Sequence, residues 1–336
     1  MDVRAMAKVV RAGDIRTRVR ALRDGQAAIR LAMTAAAVDL GVLDTLETPR
    51  TVEELGERHG FVDVDLARAF VATLEAGGLV TRSGDRLRLT RRGTVVRSDP
   101  VVRATYSAFS DFHTGLYRDL GGQLGGGSAR DDVTRRAPAI ADLSRFMQPL
   151  VESLLRGVVE SRPTRSVLDV GCGAGMLLST MLHAAPDATG TGLELDPAAA
   201  ALAERNLTDQ GLAQRSEVLV GEARERLAGR SGFDVALLAN VVYYLPVDER
   251  PALLRLVHDV LAPGGTVVVV TTVLEDNAFS RHFDLLLRAQ EGAMQLPVAE
   301  ELAGQLREAG FADPQVRRVS PGESMTAFVA SVPGVV

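Results

Sequence analysis

The chain has 336 residues, enough for two domains with sizeable cores; 46% are hydrophobic and 24% charged, and no apolar run approaches the length of a membrane span. The net charge of −5 divides unevenly, +4 over residues 1–162 and −9 over the rest, a balance too mild to call for nucleic acid. The lone cysteine, Cys172, excludes an internal disulfide and any cysteine-based metal cluster, and a single lysine, Lys8, excludes most Schiff-base chemistry.

The opening Met1-Asp-Val-Arg-Ala lacks the apolar core of a secretory signal, so a cytoplasmic protein is expected. From Arg16 to Leu46 the chain is rich in Ala, Leu and Arg at helical spacing, which predicts two or three helices. Thr51-Val-Glu-Glu-Leu-Gly-Glu-Arg-His-Gly60 reads as a short helix with a Thr cap, acidic residues in its first turn and a glycine stop. A second helix is predicted over Asp63–Gly77, with Leu66, Phe70, Val71 and Leu74 along its apolar face. The segment from Leu79 to Thr90 alternates about Ser83-Gly-Asp85 and reads as a β-hairpin, so helix, helix and hairpin spell a winged helix.

Arginines 82, 86, 88, 91 and 92 in the wing invite a DNA-binding reading. The would-be recognition helix carries Asp63, Asp65 and Glu75, which oppose phosphate, and dimerisation is the better expectation. Residues 101–125 predict a helix bearing Tyr106, Phe109, Phe112, His113 and Tyr117, ending in the flexible Gly121-Gly-Gln-Leu-Gly-Gly-Gly127. Those aromatics, with Tyr243 and Tyr244, suggest an aromatic-lined cavity between the domains. A long amphipathic helix is predicted from Ala137 to Glu160, with Phe146 and Met147 as core residues. The expected divisions are residues 1–100, a helical linker over 101–162, and residues 163–336.

From Val167 onward strands alternate with helices, which calls for a parallel sheet with helices on both faces, an α/β architecture. Its opening stretch, Ser166-Val-Leu-Asp-Val-Gly-Cys-Gly-Ala-Gly175, is a buried strand running into a glycine turn and a helix N-terminus. A dinucleotide would set its pyrophosphate on that N-terminus, where Asp169 would repel it. S-adenosyl-L-methionine has no phosphate and carries a cationic amino group that Asp169 attracts. The spacing of Gly171, Gly173 and Gly175 is G-x-G-x-G, with Met176 where the dinucleotide pattern wants glycine. Cys172, inside this turn, reads as a small packed residue. The second strand ends at Glu194, nineteen residues beyond Gly175, where a carboxylate accepts both ribose hydroxyls.

These features resemble the class I S-adenosylmethionine-dependent methyltransferases. The first half, with Leu-Ala-Arg-Ala-Phe-Val-Ala-Thr-Leu-Glu-Ala-Gly-Gly-Leu-Val from Leu66 and Asp85-Arg-Leu-Arg-Leu-Thr, is similar to the N-terminal domain of the small-molecule O-methyltransferases. The Leu261-Ala-Pro-Gly-Gly265 turn also matches, and the resemblance spans about Ala21 to Ser331. It implies a Rossmann-like seven-stranded sheet behind a mainly helical winged-helix domain that forms a homodimer. It implies transfer of a methyl group to a small molecule, a secondary metabolite, with S-adenosyl-L-homocysteine as product. By resemblance the cofactor contacts extend to Leu195, to Gly221, Glu222 and Ala223 beside the adenine, and to Asn240 at the methionine end. No nucleic acid, membrane or metal is expected.

In one place the family pattern breaks. Many of these enzymes carry a catalytic His after the fourth strand, followed by Asp; here the positions hold Tyr244 and Leu245, and the partner acid corresponds to Thr271. A phenol acceptor with pKa about 10 needs a base at neutral pH. His113 and His282 are the candidate bases, each in a segment expected to border the pocket, while His59, His183 and His258 read as structural. O-methylation is slightly favoured over C- or N-methylation without a histidine base. The rivals are a non-methylating S-adenosylmethionine enzyme and a winged-helix regulator.

Overall fold

A computed structural model describes residues 13–132, 145–320, 322 and 324–334. Among these the chain forms two compact units, residues 13–124 and residues 125–132 with 145–334. The predicted helical residues 137–144 lie outside the described residues.

The first unit begins with α1 (Ile15–Asp39), capped by the Asp14 carboxylate, and α2 (Val42–Thr45). Helix α3 (Val52–His59) starts in a capping box: Thr51 accepts from the Glu54 N–H, the Glu54 carboxylate accepts from the Thr51 N–H, and Gly60 stops the helix at φ 68°. Helix α4 (Val64–Ala76) is capped by Asp63. It buries Ala67, Val71 and Leu74, whereas the predicted core residue Leu66 is 66% exposed. Leu66 lies in the first turn, level with the cap, and only the following turns reach the cluster built by Leu43, Leu55, Leu79 and Leu87. The hairpin of β1 (Val80–Ser83) and β2 (Arg86–Leu89) turns at Gly84 and is antiparallel in register from Val80 opposite Leu89 to Ser83 opposite Arg86. Then come α5 (Arg91–Ser98), α6 (Pro100–Ser107), a π-helical segment Ala108–His113 and α7 (Thr114–Leu124). Helix α7 runs on through Gly121 and Gly122, which the glycine run had predicted to be a flexible end.

The second unit opens with α8 (Gln148–Glu160), just after Phe146, which is 69% exposed and not the core residue expected. A seven-stranded sheet follows: β3 (Ser166–Val170), β4 (Thr189–Glu194), β5 (Ser216–Val220), β6 (Phe233–Ala239), β7 (Leu261–Thr272), β8 (Ala312–Arg318) and β9 (Met325–Ser331). The spatial order is β5-β4-β3-β6-β7-β9-β8; the first five strands are parallel and the terminal hairpin antiparallel. Crossovers are α9 (Met176–Ala184), α10 (Pro197–Asp209), α11 (Ala223–Arg226), α12 (Arg250–Val260), α13 (Ala278–Arg288) and α14 (Ala299–Glu308).

Alternation along the strands sorts the core onto two faces. Val167, Val235, Leu237, Val268 and Val270 pack with α8, α9 and Leu207 of α10. Leu168, Ala236, Leu238, Val267 and Val269 pack with α12 and α14. Strand order reverses at β3 and β6, so β4 and β6 leave β3 on opposite sides, and the carboxyl ends of these strands are the usual ligand position in such sheets.

Candidate active site

The glycine turn joins β3 to α9, and each glycine has a different reason to be there. All three have positive φ: 74° at Gly171, 52° at Gly173 and 75° at Gly175. A Cβ on Gly171 would stand 2.6 Å from Val241 Cγ2, just past β6, and one on Gly175 would stand 3.1 Å from the Ala203 Cβ of α10. A Cβ on Gly173 would meet nothing within 4 Å, so its open face can accept a ligand at close range. Cys172 packs inward: a Cβ on Gly192 of β4 would be 2.8 Å from its Sγ, and burial pushes the thiol above its ordinary pKa.

Hydrogen bonds tie this turn to the ends of the neighbouring strands. The N–H groups of Gly171 and Cys172 donate to the Leu193 carbonyl at 2.7 and 2.9 Å. Gly173 N–H donates to Glu194 Oε2 at 2.8 Å, while Glu194 Oε1 accepts from the Leu195 and Asp196 N–H groups at 2.8 and 3.1 Å. The Glu194 carbonyl accepts from Gly221 N–H at 3.0 Å, which draws the end of β5 alongside. Asn240, after β6, holds φ 58° and donates its N–H to the Val270 carbonyl at 2.8 Å. A non-glycine residue in that conformation is uncommon and frequent at functional sites. The strand ends thus gather Asp169, the three glycines, Glu194, Gly221 and Asn240 on one edge. Leu195 is 63% exposed beside them, Ala223 is half-buried, and Glu222 is exposed with no capping bond from its side chain.

Asp169 is the electrostatic centre of this edge. It is 1% exposed, and its carboxylate oxygens make no well-formed hydrogen bond, only an approach by the Leu178 N–H at the start of α9 that favours the charged form. Burial, followed by repulsion from the Glu194 carboxylate, pushes its pKa up to about 7. A buried carboxylate without well-formed hydrogen bonds is costly and calls for a cationic group to satisfy it. Sequence reasoning missed two supports of the turn: the brace from Glu194 to Gly173, and Asn206 of α10, whose Nδ2 donates to the Ala174 carbonyl at 2.9 Å.

Beyond β6 a 3₁₀ turn, Val242–Tyr244, carries the tyrosine pair. The rings lie 4.6 Å apart edge to face, and Tyr243 meets Phe283 of α13 at 5.5 Å in the same manner. Tyr243, Leu287 and Leu296 form the buried part of a small cluster to which Tyr244, Leu274, Phe283 and Met294 add partly buried faces. Burial raises both phenols' pKa values. Thr271 is fully buried, its hydroxyl donating to the Thr272 carbonyl. His282 is partly buried on α13 near Phe279, with its pKa lowered by that burial. His113 belongs to the first unit, 4% exposed in the π-helical segment, stacked on Phe109 at 4.3 Å with Phe112 edge-on at 5.3 Å. The other histidines are engaged elsewhere: His59 with the Thr45 hydroxyl, His183 with Gln210, His258 with Asp259 and Phe311. Among the described residues no group of three or more His, Cys, Asp or Glu is placed to hold a metal ion.

The comparisons with known proteins agree with this geometry. A methyltransferase-domain family model matches residues 167–265. The chain is 28% identical over 320 residues to the N,N-dimethyltransferase OxyT of Streptomyces rimosus, an alignment covering 84% of this chain and 88% of that one. It is 28% identical over 296 residues to the mitomycin biosynthesis 6-O-methyltransferase of Streptomyces lavendulae, covering 82% and 83%. The solved structure of an O-methyltransferase family protein from Burkholderia thailandensis has the same fold, with a TM-score of 0.77 at 23% identity over 95% of this chain and 98% of that one.

With a sheet of this order and an acidic, glycine-lined carboxyl edge, the chain is an S-adenosylmethionine-dependent methyltransferase. More narrowly, over most of its length it is similar to small-molecule O- and N-methyltransferases.

The residues present fit that cofactor. Asp169 offers a buried carboxylate without a well-formed hydrogen bond for its amino group, Gly173 leaves room for close approach, and Glu194 presents a carboxylate already oriented by three N–H groups.

Proposed function

We propose that the chain methylates a hydroxyl group of a secondary-metabolite-type small molecule, with His282 as general base. When bound, S-adenosylmethionine supplies an electrophilic methyl group on a sulfonium. Asp169 holds the amino end by charge, Glu194 accepts from the ribose edge, and Gly221, Glu222, Ala223 and Leu195 border the adenine. Asn240, which holds a left-handed conformation, would face the methionine end. The protein's contribution is to hold the acceptor oxygen in line with the methyl carbon and to keep water out.

The observation that carries this reading is the contrast between Tyr244 and His282. Burial keeps the Tyr244 phenol protonated, so the residue at the family's usual base position donates a hydrogen bond and does not take a proton. Burial acts oppositely on His282, favouring the neutral imidazole that accepts one. A ring nitrogen of His282 would take the acceptor hydroxyl's proton as that oxygen receives the methyl group. His113 is the alternative base, supported by its burial among Phe109 and Phe112 in a π-helical segment, a feature often found at functional sites.

A second reading is N-methylation, which suits the absence of a histidine at position 244 because a neutral amine is nucleophilic without a base. OxyT is named as an N,N-dimethyltransferase. Paired hydroxyl- and amino-substituted polycyclic aromatics, assayed for release of S-adenosylhomocysteine, separate the two. Turnover of the amines alone sinks the first reading, and turnover of the hydroxyl compounds alone sinks the second.

We further infer a homodimer formed through the first unit. Helix α1 buries only Thr34, Ala35, Ala37 and Val38, while Val19, Leu22 and Ile29 are 39%, 64% and 68% exposed, an apolar stripe that the described residues of its own unit leave open. Three of the five wing arginines are engaged at home: Arg82 pairs with Glu75, Arg86 lies 3.5 Å from Glu54, and Arg92 donates to the Gly77 carbonyl and the Tyr106 hydroxyl. That supports dimerisation over nucleic-acid binding. No helix among the described residues is long and apolar enough to cross a membrane.

A further inference from the structure

Arg250 occupies a place that local chemistry disfavours. It is the first residue of α12, where a cation faces the positive end of the helix dipole, and it is only 2% exposed. Burial lowers its pKa; Glu301 and Asp284 favour its charge from a distance, and neither forms an ion pair with it. An apolar side chain would fill this volume without the loss of hydration. What Arg250 provides is a pair of bonds to backbone carbonyls in two separate loops: Nε donates to Leu245 O at 3.3 Å and Nη2 to Gln295 O at 2.6 Å.

Both carbonyls adjoin the tyrosine cluster. Leu245 directly follows Tyr243 and Tyr244, and Gln295 directly precedes Leu296, which packs with Tyr243 and Leu287. The loop over residues 289–297 has other anchors. Arg130 exchanges backbone bonds with Ala289 and Glu291, Asp284 Oδ1 accepts from the Leu296 N–H, and Leu274 N–H donates to the Pro297 carbonyl. These fix the loop to residues 130–132, to α13 and to the end of β7. Arg250 fixes it to the exit of β6, where Tyr244 sits. The planar guanidinium sets two N–H directions at once, which an ammonium group does not do.

We propose that Arg250 is a positioning residue for methyl transfer: by clamping Leu245 and Gln295 it holds Tyr243, Tyr244 and Leu296 together as one wall of the acceptor site. The proposal rests on the reading that Tyr244 faces the acceptor. Its effect reaches the reaction through the wall, since Arg250 touches neither cofactor nor acceptor residues other than by backbone.

The test uses the whole chain with Arg250→Lys and Arg250→Met. Titration of phenolate absorbance, assigned with Tyr243→Phe and Tyr244→Phe, follows the wall; calorimetry with S-adenosylhomocysteine follows the cofactor site. Both Arg250 variants should let the buried pair ionise at lower pH than in the wild type, while S-adenosylhomocysteine affinity stays within about twofold and KM for the aromatic acceptor rises about tenfold or more. Arg250→Lys decides alone if Arg250→Met does not fold. Unchanged phenol titration in Arg250→Lys overturns the clamp. A parallel loss of S-adenosylhomocysteine affinity also overturns it, since the residue would then support the unit as a whole. If the phenols shift and acceptor KM does not, the clamp stands and the reading that Tyr244 borders the acceptor falls.

Discussion

Glu194 and Gly173, 21 residues apart in sequence, are joined by a 2.8 Å hydrogen bond from the glycine N–H to Oε2. The carboxylate at the end of β4 therefore braces the turn at the end of β3 before any ribose arrives. Its other oxygen accepts from two further N–H groups, so three of about four acceptor positions of the carboxylate are filled by backbone. The position that remains belongs to Oε2, the oxygen nearest the turn.

That double engagement sets the result of mutating Glu194. Glu194→Ala should weaken S-adenosylhomocysteine binding by roughly 2–4 kcal/mol, through loss of a charge-assisted bond to the ribose and loosening of the turn. Glu194→Gln keeps an acceptor for Gly173 and should lose less. Calorimetry on the two variants decides it, and unchanged affinity in Glu194→Ala removes the residue from the site.

Asp169 gives a pH dependence with a definite sign. Its pKa is raised from 3.8 to about 7, so the folded enzyme keeps this proton after the unfolded chain has released it. Ligand-free stability therefore falls between pH about 4 and about 7 from this group, because the folded state binds more protons than the unfolded one there. Asp169→Asn should show a higher Tm than the wild type at pH 8, and a smaller difference at pH 5. Affinity of the wild type for S-adenosylhomocysteine should rise as pH passes through about 7, with proton release on binding, and Asp169→Asn should bind weakly at every pH. A flat affinity profile in the wild type argues against Asp169 as the partner of the amino group.

For the base, His282→Ala should lower kcat by about 10²–10⁴-fold with a hydroxyl acceptor. The wild-type rate should fall on the acid side below the ordinary histidine value of 6.5, since burial lowers the His282 pKa. His113→Ala tests the alternative in the same assay. If both variants stay within a few-fold of wild type over pH 6 to 9, histidine base catalysis is wrong and positioning of a self-reactive nucleophile is the better account.

The dimer is tested on the exposed stripe of α1. Leu22→Asp with Ile29→Asp should convert a dimer to a monomer by light scattering at micromolar concentration, and leave S-adenosylhomocysteine binding in place. A wild-type monomer at that concentration refutes the dimer outright. These positions are 64% and 68% exposed in the isolated chain, so the substitutions disturb little within it.

Much of this protein can be read along the chain because the signals are local. Thr51 with Glu54 marks a helix start, Ser83-Gly-Asp85 a hairpin, and Gly171, Gly173 and Gly175 a turn that L side chains resist. The β-branched runs ending at Asp169 and Glu194 announce the strands and the cofactor edge. Other features depend on which elements become neighbours, and that is settled by packing. The Glu194–Gly173 brace exists because β4 lies beside β3, and Asp169 is buried without a well-formed hydrogen bond because of what packs around the end of β3. Periodicity put Leu66 on an apolar face and Phe146 reads as a core residue, yet both are largely exposed, since a helical stripe records which side is apolar and not how far its partner extends. Arg250 carries no signal in the sequence at all. Its two acceptors are backbone carbonyls, which every residue possesses, so only the fold decides which pair stands within reach.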